Sequence, residues 1–81
     1  MIVTVRFFAM LKDMMDKDVE QLDVSEGACG RDVQRLLGQQ YHQIDRYLNH
    51  CRLAVNWEYQ PWETPLHAGD ELGLIPPVSG G

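Results

Sequence analysis

The residues of this chain whose types and order could do chemistry together are Pro76-Pro77-Val78-Ser79-Gly80-Gly81. Proline cannot donate to a β-ladder, so the pair detaches the last four residues from any preceding strand. Six residues extended at about 3.3 Å each project roughly 20 Å from a folded body, far enough to thread into another protein's active site. Glycine suits that path because, lacking Cβ, it fits a narrow tunnel and adopts φ values closed to other residues. A terminal carboxyl with an ordinary pKa near 3.5 is ionised at neutral pH, and it stays a poor electrophile until converted to an acyl adenylate or similar anhydride. The tail then reads as a handle that other proteins activate. A glycine pair also suits a frayed end that does nothing, and the residue types alone leave both readings open.

The remaining reactive side chains form no such group. Cys29 and Cys51, the only cysteines, lie 22 positions apart, whereas a secreted scaffold this short usually carries two to four bridges. Both are expected as reduced thiols. With His42 and His50 they could be drawn as a zinc set, but the spacing matches none of the paired patterns of structural zinc, and no metal is expected. A Cys/His nucleophilic site would need a base and a cleft, and one small domain with one main helix offers little cleft. Phosphate loops, dinucleotide fingerprints, His-Glu-x-x-His and Cys-x-x-Cys are all missing.

Composition narrows the partners. Lys and Arg number 7 against 12 Asp and Glu, a net charge of −5, so the chain lacks the positive excess that releases counterions on nucleic acid or anionic lipid. Neither nucleic acid nor a membrane is an expected partner. The longest charge-free run, Leu72 to Gly81, is ten residues long, against the roughly 18–20 apolar residues that span a bilayer. Arg6 follows Met1-Ile2-Val3-Thr4-Val5 at once, which leaves no signal peptide to read and points to the cytoplasm. With 81 residues there is room for one small core.

The elements that must carry the tail follow from periodicity. Val3, Val5 and Phe7 alternate with Thr4 and Arg6, predicting a strand over 2–8. Residues 9–15 suit a short helix and 19–24 a second strand, antiparallel to the first, before Ser25-Glu26-Gly27 breaks it. Val33, Leu36, Leu37 and Tyr41 mark the core face of a main helix over 30–40, with Arg31, Gln34, Arg35 and Gln39 on the far face. Tyr41 to Asn49 adds a further helical turn. Leu53-Ala54-Val55 predicts a third strand, Trp57 to Pro65 a loop with a brief edge strand, His67-Ala68-Gly69-Asp70 a turn, and residues 71–75 the last strand. The expected core is Val3, Val5, Phe7, Leu22, Val24, Val33, Leu36, Leu37, Val55, Leu72 and Leu74. A hairpin, then a helix, then further strands is the order of an α+β fold, the ubiquitin-like β-grasp: a mixed sheet with the main helix across one face, over residues 1–75, followed by a flexible tail over 76–81. Phe8 follows the inward-facing Phe7 and should lie on the sheet face opposite the helix. There a large apolar side chain marks a partner interface unless it closes a second minicore under residues 10–15.

Gly69-Asp70-Glu71-Leu72-Gly73-Leu74-Ile75-Pro76-Pro77-Val78-Ser79-Gly80-Gly81 closely resembles the C-terminal signature of the small, sulfur-carrier subunits of molybdopterin synthase. Phe7-Phe8-Ala9, Glu26-Gly27-Ala28 and Ala54-Val55-Asn56 extend the resemblance over nearly the whole chain. The thiamin-pathway sulfur carriers share the fold and the Gly-Gly end but not the Pro-Pro-Val-Ser habit. The resemblance implies that an ATP-dependent activating enzyme adenylates Gly81 and that a sulfur donor protein then displaces AMP. The resulting Gly81 thiocarboxylate would deliver sulfur to cyclic pyranopterin monophosphate, docked on the large catalytic subunit of the synthase in a heterotetramer. In that scheme Gly81 carries the group, Gly80 and Ser79 give access, and Pro76, Pro77 and Val78 aim the tail. The chain would be the non-catalytic subunit, holding no permanent cofactor, with ATP used by the activating enzyme. The net charge of −5 suits basic clefts on both partners. A ubiquitin-like modifier joined to lysines through Gly81, or a carrier for thiamin, uses the same tail. Two departures stand out. Cys29-Gly30 replaces the family's usual Thr-Val, which should start the helix late or lean it on Ser25, and Trp57, with Trp62 nearby, follows an Asn where the family often has a small or polar residue.

Overall fold

Val3, Val5 and Phe7 point into the core from β1 (Ile2–Phe7) while Ile2, Thr4 and Arg6 take the other face, as their alternation requires. This computed structural model describes residues 1–77. After β1 come α1 (Ala9–Met15), β2 (Val19–Asp23), α2 (Gly30–Gln40), α3 (His42–Leu48), β3 (Arg52–Val55), β4 (Glu58–Gln60) and β5 (Glu71–Ile75). The strands form one sheet in the order β2-β1-β5-β3-β4. β1 and β5, the first and last strands, run parallel side by side, with Val5 opposite Leu72 and Phe7 opposite Leu74. All other pairs are antiparallel. This is the β-grasp that the element order predicts.

One apolar cluster fills the space between sheet and helices, with Leu11 and Met15 from α1, Val33 and Leu37 from α2, and Ile44 and Leu48 from α3 closing over Val3, Val5, Phe7, Leu53, Leu72 and Leu74. The helical segment expected over Tyr41 to Asn49 is present as α3, with Ile44 and Leu48 at i, i+4 both buried. Three expectations need correction. Leu36 and Val55 pack only against the cluster's margin. Gln34 is buried instead of facing solvent: its Nε2 donates to the Leu48 carbonyl at 3.0 Å, tying α2 to the end of α3, and its Oε1 accepts from Arg31 at 3.0 Å. Finally, α2 does not start late. Asp32 at the third helical position accepts from the Cys29 backbone N–H at 2.9 Å, the carboxylate half of a capping box, and this bond holds the Asp32 carboxyl below the usual range.

On the helical flank, Glu20 of β2 accepts from Tyr41 Oη at 2.5 Å and from Lys17 Nζ at 2.8 Å. Burial pushes the Glu20 carboxyl up, but the two hydrogen bonds and the charge of Lys17 outweigh it and hold the group below its ordinary value. Among the described residues no helix is long and apolar enough to cross a membrane.

Candidate functional site

The face of the sheet turned away from the helices carries Ile2, Phe8, Val19, Trp57, Tyr59 and Ile75, an apolar set that no helix or strand covers among the described residues. Phe8 lies where its alternation with Phe7 puts it, half-buried on this open face and extended (φ −121°) just before α1. Its ring rests against Gly73 of β5, where an added Cβ would come within 3.2 Å of Phe8 Cε2. A side chain at position 73 would therefore push the ring aside. Phe8, Gly73 and Ile75 form the floor and Trp57, Tyr59 and Arg6 the walls of a cleft of about 170 Å³. That is below the roughly 300–1,000 Å³ of sites for drug-sized ligands, so the cleft suits a single side chain better than a metabolite.

One guanidinium group, that of Arg6, lines it, and a second stacks on one of its aromatic walls. Arg6 lies 5.7 Å from the centroid of Trp57 and is fixed by Glu71, whose Oε1 accepts from Arg6 Nη2 at 2.9 Å and from Nε at 3.2 Å. Arg52 stacks 3.7 Å over Tyr59. Between β3 and β4 the two turn residues, Asn56 and Trp57, are both left-handed, with φ of 50° and 72°. A two-residue hairpin prefers this turn with glycine at the second position, and a bulky residue there costs on the order of 1–2 kcal/mol. Asn56 is clamped to the start of β5: its N–H donates to the Glu71 carbonyl at 2.7 Å, its Nδ2 to Asp70 Oδ1 at 3.0 Å, and its Oδ1 accepts from the Glu71 N–H at 3.0 Å.

The C-terminal segment follows the end of β5, the central strand of the sheet. Ile75 ends β5 opposite Arg52; Pro76 is buried and Pro77 exposed, so packing continues one residue past the strand. Val78, Ser79, Gly80 and Gly81, the expected residues of tail insertion and group transfer, lie outside the described residues. The reactive side chains of the body are not brought together. Cys51 is buried, donates from Sγ to the Tyr47 carbonyl at 3.3 Å, and burial pushes its thiol up to about 11, so it is protonated at neutral pH. Cys29 is half-buried at the start of α2, and His42, His50 and His67 are exposed on separate segments. Among the described residues no three His, Cys, Asp or Glu side chains gather as a metal set. Alternation along β4 and β5 could have found Tyr59 and Ile75 beside Phe8. Trp57 could not be found that way, because its place depends on the left-handed turn.

A five-stranded ubiquitin-like β-grasp of this size, with an apolar sheet face beside the strand that ends at Ile75, is the build of a small carrier domain. The chain belongs to the ThiS family, whose model matches residues 5–81. It is similar to the molybdopterin synthase sulfur carrier subunit of Mycobacterium tuberculosis, 34% identical over 98% of this chain and 96% of the relative. Among solved structures it is similar to a chain in the complex of subunits 1 and 2 of the molybdopterin-converting factor from Helicobacter pylori, 29% identical, with a TM-score of 0.74 over the whole of both chains. It also resembles SAMP1 from Haloferax volcanii, 27% identical, with a TM-score of 0.88 over the whole of both chains.

Proposed function

We propose that this protein is the sulfur carrier subunit of a molybdopterin synthase, carrying sulfur as a thiocarboxylate on Gly81. The observation that carries this reading is the likeness to a molybdopterin synthase sulfur carrier subunit over 98% of the chain. An activating enzyme supplies ATP, and an oxygen of the Gly81 carboxylate attacks the α-phosphate, releasing pyrophosphate and leaving an acyl adenylate. The terminal sulfur of a donor protein's persulfide displaces AMP, and a second thiol cleaves the acyl disulfide, leaving the thiocarboxylate and a disulfide. The loaded chain docks through its open face on the large subunit, and the tail delivers sulfur to cyclic pyranopterin monophosphate. Two sulfurs per pterin require two deliveries, which suits a heterotetramer with one carrier at each end of a large-subunit dimer.

The contribution of this chain's own residues is placement. Phe8, Tyr59 and Ile75 supply apolar contact, Pro76 and Pro77 set the direction of the segment, and Ser79, Gly80 and Gly81 supply a slender reactive end. The test is sulfur transfer in vitro with thiocarboxylated protein, large subunit and pterin precursor. Wild type should convert the precursor, and a chain lacking Gly81 should not, since deletion withdraws the carboxyl by about 3.3 Å where about 1 Å already costs roughly a hundredfold. Near wild-type transfer by the shortened chain would overturn the assignment.

The likeness to SAMP1, a small archaeal modifier protein, favours a second reading in which the same activated Gly81 is joined to lysines of other proteins. Isopeptide-linked conjugates in the native host, lost when Gly81 is deleted, would distinguish it.

A further inference from the structure

We infer that Trp57 sets the specificity of docking: with the cleft it walls, it receives one apolar side chain projecting from the large synthase subunit. This rests on the carrier reading above. Trp57 occupies a left-handed position that folding would fill better with glycine, φ 72° directly after Asn56 at 50°. The residue is 71% exposed, so the fold gains little apolar burial in return. The position is nevertheless over-determined, because Asn56 is clamped by Asp70 and Glu71, and Glu71 fixes the Arg6 guanidinium beside the indole. A strained residue held in place by its surroundings and contributing little to the core points to a role outside the core, and tryptophan is among the residue types that dominate binding energy at interfaces.

The cleft says what sits there. A cavity of about 150 Å³ holds a benzene molecule, so one of about 170 Å³ takes a single leucine-sized or phenyl-sized group. Its floor includes Ile75, the residue directly before the tail. A protein that encloses the tail down to its root lies over or beside the cleft, so that protein, rather than a free small molecule, is the one placed to supply the occupying side chain.

The experiment is calorimetric titration of the full-length chain, as wild type, Trp57→Gly and Trp57→Ala, into its large subunit, with thermal melting of each. Both variants should bind at least about tenfold more weakly. Trp57→Gly should melt at or above the wild-type temperature, since it relieves the left-handed strain, and Trp57→Ala, which keeps that strain, should melt below Trp57→Gly. Wild-type affinity in Trp57→Gly overturns the role of Trp57 alone. A melting temperature of Trp57→Gly well below wild type overturns it too, because the ring would then be structural. Wild type that fails to bind the large subunit overturns the carrier reading and this inference with it.

Discussion

Replacing Gly30 by alanine separates what local propensity demands from what the packed structure demands. Gly30 is the first residue of α2, and by helix propensity alone alanine should gain about 0.5–1 kcal/mol. The structure reverses the sign. A Cβ at position 30 would lie 2.5 Å from Leu53 Cδ2 and 2.9 Å from the Trp62 carbonyl oxygen. Leu53 is buried at 1% exposure and cannot swing away. The carbonyl cannot withdraw either, because it accepts from the Arg31 N–H at 2.7 Å. Overpacking of this kind costs about 1–3 kcal/mol, so set against the propensity gain the net loss reaches about 2.5 kcal/mol and the melting temperature should fall by up to roughly 20 °C in a domain this small. Gly38→Ala is the control in the same helix. Its Cβ would meet only the carboxylate of Asp45, an exposed side chain that can rotate into solvent, so propensity should prevail and stability should hold or rise by up to about 1 kcal/mol. Circular dichroism during thermal and urea unfolding measures both. Gly30→Ala melting at or above wild type, or Gly38→Ala proving the more harmful, would refute the packing argument.

Phe8→Ala should weaken binding to the large subunit about tenfold or more while leaving a cooperative melt, as read by titration and calorimetry; unchanged affinity would remove Phe8 from the interface. In the native, unreduced protein, alkylation at pH 8 should label Cys29 well before Cys51, because burial raises the Cys51 thiol to about 11 and the thiolate is the nucleophile; peptide mapping by mass spectrometry gives the order. Glu20 is held below its ordinary pKa in the folded chain, so its contribution is present above the unfolded value and is lost as pH falls through the folded one. Tyr41→Phe, which removes one of its donors, should therefore be less stable than wild type at pH 7, with the gap narrowing below about pH 4, measured by urea unfolding across pH.

The sheet and the main helix were legible because their apolar residues repeat at periods of two and 3.6. Val3, Val5 and Phe7 on one side and Arg6 and Phe8 on the other follow from alternation alone. The features that escaped depend on contacts distant in sequence. Gln34 looks like a surface residue by helical phase, and only the arrival of α3 fourteen residues later supplies the Leu48 carbonyl that lets it be buried. The start of α2 looked weak because cysteine caps poorly, yet the bond that fixes it comes from Asp32, one turn ahead. At the site, Phe8 was readable from strand phase, whereas the cleft needed β4 and β5 to converge beside it, and Trp57 needed a turn that its own side chain disfavours.

The pairing of β1 with β5 bears on how the chain becomes competent during synthesis. The first strand made lies inside the sheet, and its parallel neighbour, the central strand, is completed only at Ile75, six residues before Gly81. A nascent chain that has not yet released residues 71–75 has β1 and β3 with open edges and no strand to join them, a state prone to association with other chains. Because contacts so distant in sequence close slowly, the sheet should close only once residues 71–75 are available to pair with β1. The same strand that completes the sheet also lines the cleft and leads directly into the C-terminal segment, so a chain in which β5 has not yet paired has no assembled cleft beside that segment. A partner that recognised both together would bind folded molecules and pass over those lacking β5.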